Sequence, residues 1–183
     1  SQWGHTTRPA AMRAVVLYPL NALVEDQLRR LRMALDTDGT HNWLDRERGG
    51  NRITFGRYTG QTPVSGVISR ASTERLRDTL RQMERDHAAV RVASGDDPEL
   101  RDVPFHYARV DGGEMWSRWD MQETPPDILI TNYSMLNIML MRQVEAGMFD
   151  ATRSWLAEPG HPERVFTLVV DELHSYRGTP GTE

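Results

Sequence analysis

The chain has no lysine; all 22 of its basic residues are arginine. A glycine-rich phosphate loop of the Gly-Lys-Ser/Thr kind is therefore excluded from these 183 residues. The arginine-only usage reads first as a GC-rich coding bias and only second as a functional choice. Cysteine is also absent, which excludes disulfides, thiolate zinc sites and thiol nucleophiles and fits a cytoplasmic protein. No apolar run approaches the roughly 20 residues of a membrane span. The opening Ser1-Gln2-Trp3-Gly4-His5 has neither the charge nor the apolar stretch of a signal peptide, and it starts without Met, as a fragment, a processed chain or a piece of something longer would. Positive charge is not in excess: the net charge of -4 gives no general affinity for polyanions, so any nucleic-acid contact has to be local. The six histidines show no metal-ligand spacing, and His5, His41, His87, His106 and His161 are expected on the surface or in loops.

What is present is an ordinary globular composition, 38% hydrophobic and 26% charged, of a length that suits one domain. The mean hydropathy of -0.59 puts much of the chain on the surface. There are no repeats and no low-complexity tracts. Residues 1–12 read as a loop. Arg13–Tyr18 reads as a short buried strand, stopped by Pro19. Asn21–Asp36 follows as an amphipathic helix, with Leu23, Leu28, Leu31 and Leu35 near helical spacing and Glu25 and Asp26 complementing its dipole. Residues 37–51 are polar and Gly-rich and predict a loop. Ile53–Tyr58 predicts a strand and Thr59–Pro63 a turn. Ser72–Ala89 predicts a charged helix with a narrow stripe of Leu76, Leu80 and Met83. Residues 93–126 predict a long loop or insertion, of the kind that is often functional. Asp127–Thr131 predicts another strand, and helices are expected over Asn132–Glu145 and Ala151–Ala157. Strands alternating with helices imply an α/β fold with a parallel sheet and right-handed crossovers.

The most informative run is Val165-Phe166-Thr167-Leu168-Val169-Val170, six residues of which five are apolar, read as a strand buried on both faces. Asp171-Glu172-Leu173-His174 follows where it emerges. Ligands of open α/β sheets bind at the carboxyl ends of the strands. An Asp there can hold Mg²⁺, and the next Glu can orient or deprotonate a water. This is the form of a Walker B motif in its DExH version.

Three other segments share the order of one family. Tyr18-Pro19-Leu20-Asn21-Ala22-Leu23-Val24-Glu25-Asp26-Gln27 is similar to helicase motif Ia. Tyr58-Thr59-Gly60-Gln61-Thr62-Pro63 resembles the threonine-glycine element after it. Ile128-Leu129-Ile130-Thr131-Asn132-Tyr133-Ser134-Met135-Leu136 resembles the strand-to-helix motif ahead of motif II. Each alone is weak; together, in order, they resemble the first RecA-like (P-loop NTPase) lobe of a superfamily 2 DExH helicase, from just after motif I to just after motif II. The tail Ser175-Tyr176-Arg177-Gly178-Thr179-Pro180-Gly181-Thr182-Glu183 resembles the YprA-like and Hrq-like DNA helicases and the large helicases of DISARM-type anti-phage systems.

The resemblance implies ATP and Mg²⁺ as cofactors and DNA, rather than RNA, as the track. It implies Asp171 on Mg²⁺ through a water, Glu172 as the base or water-orienting group, and His174 coupling nucleotide state to strand grip. Pro19, Asn21, Ala22 and Gln27 would touch one stretch of strand backbone, Thr59, Gly60 and Thr62 the next, and Thr131, Asn132 and Met135 a third. Such contacts read phosphates rather than bases. Helix capping and turn chemistry explain the same residues without a ligand. Trp116 and Trp119 could stack on bases, though packing of the long loop is the favoured reading; the role of Arg177 stays open.

A complete helicase also needs a phosphate loop, motif III and a second RecA-like lobe, which the chain lacks. The family's P-loop strand lies beside the Walker B strand, so the Val165–Val170 strand is expected to show an open apolar edge, with the missing strand and lysine coming from another segment or chain. Two function classes follow: one piece of an ATP-dependent DNA helicase or translocase, of which a restriction-enzyme motor is a sub-case, or a non-catalytic RecA-like scaffold that binds nucleic acid or a partner protein.

Overall fold

A computed structural model describes residues 7–19, 21–63, 68–95 and 97–172, with the backbone alone for Asn21, Ala22 and Leu23. Five strands, β1 (Ala14–Leu17), β2 (Phe55–Arg57), β3 (Glu114–Met115), β4 (Ile128–Thr131) and β5 (Thr167–Val170), form one sheet in the order β3-β2-β4-β1-β5. Every pairing is parallel. The helices are α1 (Asn21–Leu35), α2 (Asp38–Arg48), α3 (Arg70–Ser94), α4 (Arg118–Glu123), α5 (Tyr133–Met141) and α6 (Gln143–Ala157). This is the α/β class expected, an all-parallel sheet with flanking helices of RecA-like form.

Strand alternation divides the core in two. Val15, Leu17 and Leu129 pack with Met121, Met139 and Met148 from α4, α5 and α6. Phe55 and Ile130 pack with Val24 and Leu28 from α1 on the other face. Each fully buried large side chain contributes roughly 1.5–3 kcal/mol. The amino ends of the strands are tied by Asp127, whose carboxylate accepts from Arg8, from Arg13 at 2.6 Å and from the Thr54 amide at 2.8 Å.

Several elements differ from the expectations. The predicted loop at 37–51 is mostly α2, capped by the Thr37 hydroxyl and closed at Gly49 with φ 59°. It buries only His41 and Leu44, too few apolar positions to register as a periodic pattern. His41 is thus not a surface residue; it meets the buried Asp36 carboxylate at 3.2 Å. The 93–126 segment carries a 3-10 turn (Val103–His106), β3 and α4. The single helix expected over Asn132–Glu145 breaks at Arg142, whose backbone is extended (φ -102°, ψ 135°), and α6 starts there and runs through the second expected helix. β5 is not buried on both faces. Among the described residues it pairs with β1 alone and lies at an edge, with Leu168 54% and Val169 44% exposed.

Candidate functional site

Because all five strands run the same way, their carboxyl ends share one edge of the sheet, and the strand order fixes what stands next to what. Thr59 and Gly60 follow β2, Thr131 and Asn132 end β4, Tyr18 and Pro19 follow β1, and Asp171 and Glu172 follow β5. Four segments separated by up to about 150 residues of sequence thus line up across about 14 Å, three strand spacings. The ladder continues past the strands to hold this line: Tyr58 donates to the Ile130 carbonyl at 2.8 Å, Tyr18 to Thr131 at 3.0 Å and Asp171 to Leu17 at 3.0 Å.

At the β5 end, the Asp171 carboxylate accepts from the amide of Glu172 at 3.0 Å and forms no ion pair among the described residues. Tyr18 is its neighbour: burial first, and then the Asp171 charge, push the Tyr18 hydroxyl above its ordinary pKa. Glu172 is exposed and has φ 46°, left-handed backbone that an L side chain rarely adopts. Among the described residues no group of three or more His, Asp or Glu gathers around one point. A cation here would rest on Asp171, waters and ligand oxygens, a mode that suits Mg²⁺. His174 and Arg177 lie outside the described residues.

At the β1 end, Pro19 is half-buried and Asn21 and Ala22 form the first turn of α1, while Gln27 is half-exposed. The helix is held from behind. Arg32 makes a two-pronged pair with Glu114 of β3, at 2.7 and 3.0 Å, and also meets Glu25 at 3.2 Å. Burial pushes the Glu114 carboxyl up against the pull of Arg32. Glu25 in turn accepts from Arg57 at the end of β2, 3.2 Å away, so α1 and β2 are joined at the same edge.

The β2 and β4 ends use their hydroxyls internally. The Thr62 hydroxyl accepts from the Thr59 amide at 3.0 Å and donates to the Arg57 carbonyl at 2.8 Å. The Thr59 hydroxyl accepts from Gln61, and that of Thr131 donates to the Tyr58 carbonyl at 2.7 Å. All three threonines are buried. Asn132 caps α5 by accepting from the Met135 amide at 2.8 Å, and Met135 packs against the core. These hydroxyls therefore shape the turns, and the group they present outward at β2 is the backbone of Gly60 and Gln61.

Sequence reading missed a second layer behind the β2 turn. Arg118 donates to the Thr59 carbonyl at 2.6 Å and lies over the Tyr58 ring. The Tyr58 hydroxyl donates to the buried Glu145 carboxylate at 2.7 Å and accepts from Gln122 at 2.6 Å. Burial and the Glu145 bond push that hydroxyl far above its ordinary pKa. Nothing in the sequence signals it: Glu145 is the last residue of the predicted 132–145 helix and lies on the side away from Met135, Leu136, Met139 and Leu140. Of the two tryptophans, Trp116 is buried and Trp119 half-exposed.

No protein-family model matches the chain, and no solved structure matches it. Among curated proteins, it is similar to "Druantia protein DruE" of Escherichia coli (strain UMEA 4076-1), 34% identical over 208 residues that cover 93% of this chain. The match takes in 11% of that protein, so the chain spans about a tenth of the length of the curated relative it matches.

Proposed function

We propose that the chain is part of the first RecA-like lobe of an ATP-dependent DNA helicase or translocase, with ATP and Mg²⁺ at the β5 end of the carboxyl edge and a DNA strand across the ends of β1, β4 and β2. The observation that carries the proposal is the alignment of four separate segments, each resembling a helicase motif, along that one edge. Asp171 is the residue to hold Mg²⁺, which would neutralise phosphate charge, and Glu172 the residue to orient the attacking water. His174 would report nucleotide state toward the strand. Gly60 and the start of α1 and α5 supply backbone groups suited to phosphates rather than bases, so strand grip is independent of sequence.

The phosphate-loop lysine has to come from elsewhere, because the chain has none. The open side of β5 is the fitting place for that segment: Val165, Phe166, Leu168 and Val169 are all exposed there. A second lobe, in the same polypeptide or a partner chain, would close the nucleotide cleft. The likeness to the Druantia protein supports placing this work in anti-phage defence. A second reading is a RecA-like scaffold that binds nucleic acid or a partner protein without using ATP.

DNA-stimulated ATP hydrolysis by the full-length protein that carries this chain separates the two. Glu172→Gln should bind ATP and lose turnover by roughly 10²- to 10⁴-fold. Undiminished turnover in that variant would refute the role of Glu172. A wild-type protein that binds DNA and never hydrolyses ATP would be the scaffold.

A further inference from the structure

Behind the β2 turn lies a cavity of about 310 Å³, at the small end of the range for small-molecule sites, roughly 300–1,000 Å³. Its walls include Ile68, Arg118, Trp119, Gln122, Arg142 and Glu145. Three features are out of keeping with a simple surface crevice. The Glu145 side chain is 1% exposed, and while one oxygen accepts from Tyr58, the other has no partner among the described residues. A buried carboxylate oxygen left without a donor is destabilising. Trp119 is half-exposed, although a tryptophan that merely pins a loop would be expected to bury its ring. Arg142 extends to solvent at the rim, 51% exposed, and lies 3.5 Å from Glu145. The cavity is joined directly to the proposed strand path, because Arg118 bridges from its wall to the Thr59 carbonyl.

We propose that this cavity receives one nucleobase turned out of the bound strand, and that the base it fits best is guanine. A base needs a flat surface, which Trp119 offers for stacking. It needs acceptors for its N–H edge, which the free Glu145 oxygen and the Gln122 carbonyl offer, since Gln122 directs its N–H group to Tyr58. Guanine is the base that presents two adjacent donors on that edge, the ring N1–H and the 2-amino group. Arg142 at the rim can meet the phosphate of the same nucleotide. The lobe would then add a base-dependent grip to a backbone-reading track. The inference rests on the proposal that DNA crosses this edge.

The test is fluorescence anisotropy with the full-length protein and two labelled single strands, one of thymidine with guanine at regular intervals and one with abasic sites in those positions. The wild-type protein should bind the guanine strand about 10-fold more tightly, within the span that one base stack supplies. Trp119→Ala and the nearly isosteric Glu145→Gln should each shrink that ratio toward one. Equal wild-type affinity for both strands would overturn the base pocket and leave the backbone track standing. Binding of neither strand would overturn the track and the pocket together. A ratio that survives in both variants while overall affinity falls would assign Trp119 and Glu145 to packing, and also overturn the proposal.

Discussion

Tyr58 joins the core to the edge that carries the motifs. Its ring is buried, its amide extends the β2–β4 ladder, and its hydroxyl is the donor that satisfies one oxygen of the buried Glu145. Removing only that hydroxyl, in Tyr58→Phe, leaves that oxygen with nothing but the longer Arg142 contact at 3.5 Å. We expect a loss of about 1–3 kcal/mol in denaturant unfolding, and a change within 0.5 kcal/mol would show that Glu145 finds another donor. Gly113 is a second single-residue constraint. A Cβ at this position would run into the carbonyl of Ile53 where Phe55 donates to Gly113 at 3.0 Å. Backbone cannot move aside as a side chain can, so Gly113→Ala should cost more than the usual surface substitution and loosen β3. Little of this was legible in the sequence. The threonines at 59, 62 and 131 could be placed at strand ends, but not the direction of their hydroxyls, because that depends on carbonyls brought in from other strands. Arg118, Gln122 and Glu145 come together only after the chain has folded across more than 20 residues.

At the scale of elements, legibility followed apolar content. β1, β4 and β5 are short runs of β-branched and aliphatic residues, β2 is Phe55-Gly56-Arg57 behind Ile53 and Thr54, and all four were read within two residues of their ends. β3 was not, since it is two residues long and one of them, Glu114, is buried only because Arg32 reaches it from α1. α2 carried its signal in its caps, Thr37 and Gly49, rather than in its face. Asp127 illustrates what holds the elements at their amino ends. Asp127→Ala should lose roughly 3 kcal/mol, the lower end for breaking a buried pair, because Arg8 and Arg13 both reach solvent. The loop before β3 is tied to α2 by Arg109, which donates to Asp38 at 2.5 Å and to Asp111 at 2.8 Å and holds both carboxyls below their ordinary range. A depressed folded pKa contributes stability above the ordinary carboxylate range and loses it as pH falls through the folded value. The difference between wild type and Arg109→Met in denaturant midpoint should therefore be largest near neutrality and shrink toward about pH 3. A difference that grows on acidification would contradict the pairing.

At the scale of the whole molecule, the open side of β5 is the feature that most needs a larger assembly. Leu168 and Val169 on this edge strand, and Val165 and Phe166 just ahead of it, are exposed, the kind of surface that proteins otherwise cover. If another segment covers it, Leu168→Asp should destabilise the full-length protein by about 1.5–3 kcal/mol, as for a buried side chain, although Leu168 is 54% exposed in this chain. A shift within 0.5 kcal/mol would leave the strand uncovered. The sequence announced this edge through what it lacked, a lysine, as much as through the apolar run itself.

The central claim is that one edge of the sheet carries both a nucleotide end and a strand track. Gly60 tests it cleanly, because it is exposed, its backbone needs no glycine, and a Cβ there would meet nothing within 4 Å. Gly60→Asp should fold normally and set a negative charge against the strand phosphates. The measurement is the ratio of ATP turnover with single-stranded DNA to turnover without it, in the full-length protein. The account predicts a ratio well above one for the wild type that collapses toward one in Gly60→Asp; an undiminished ratio in that variant would contradict it.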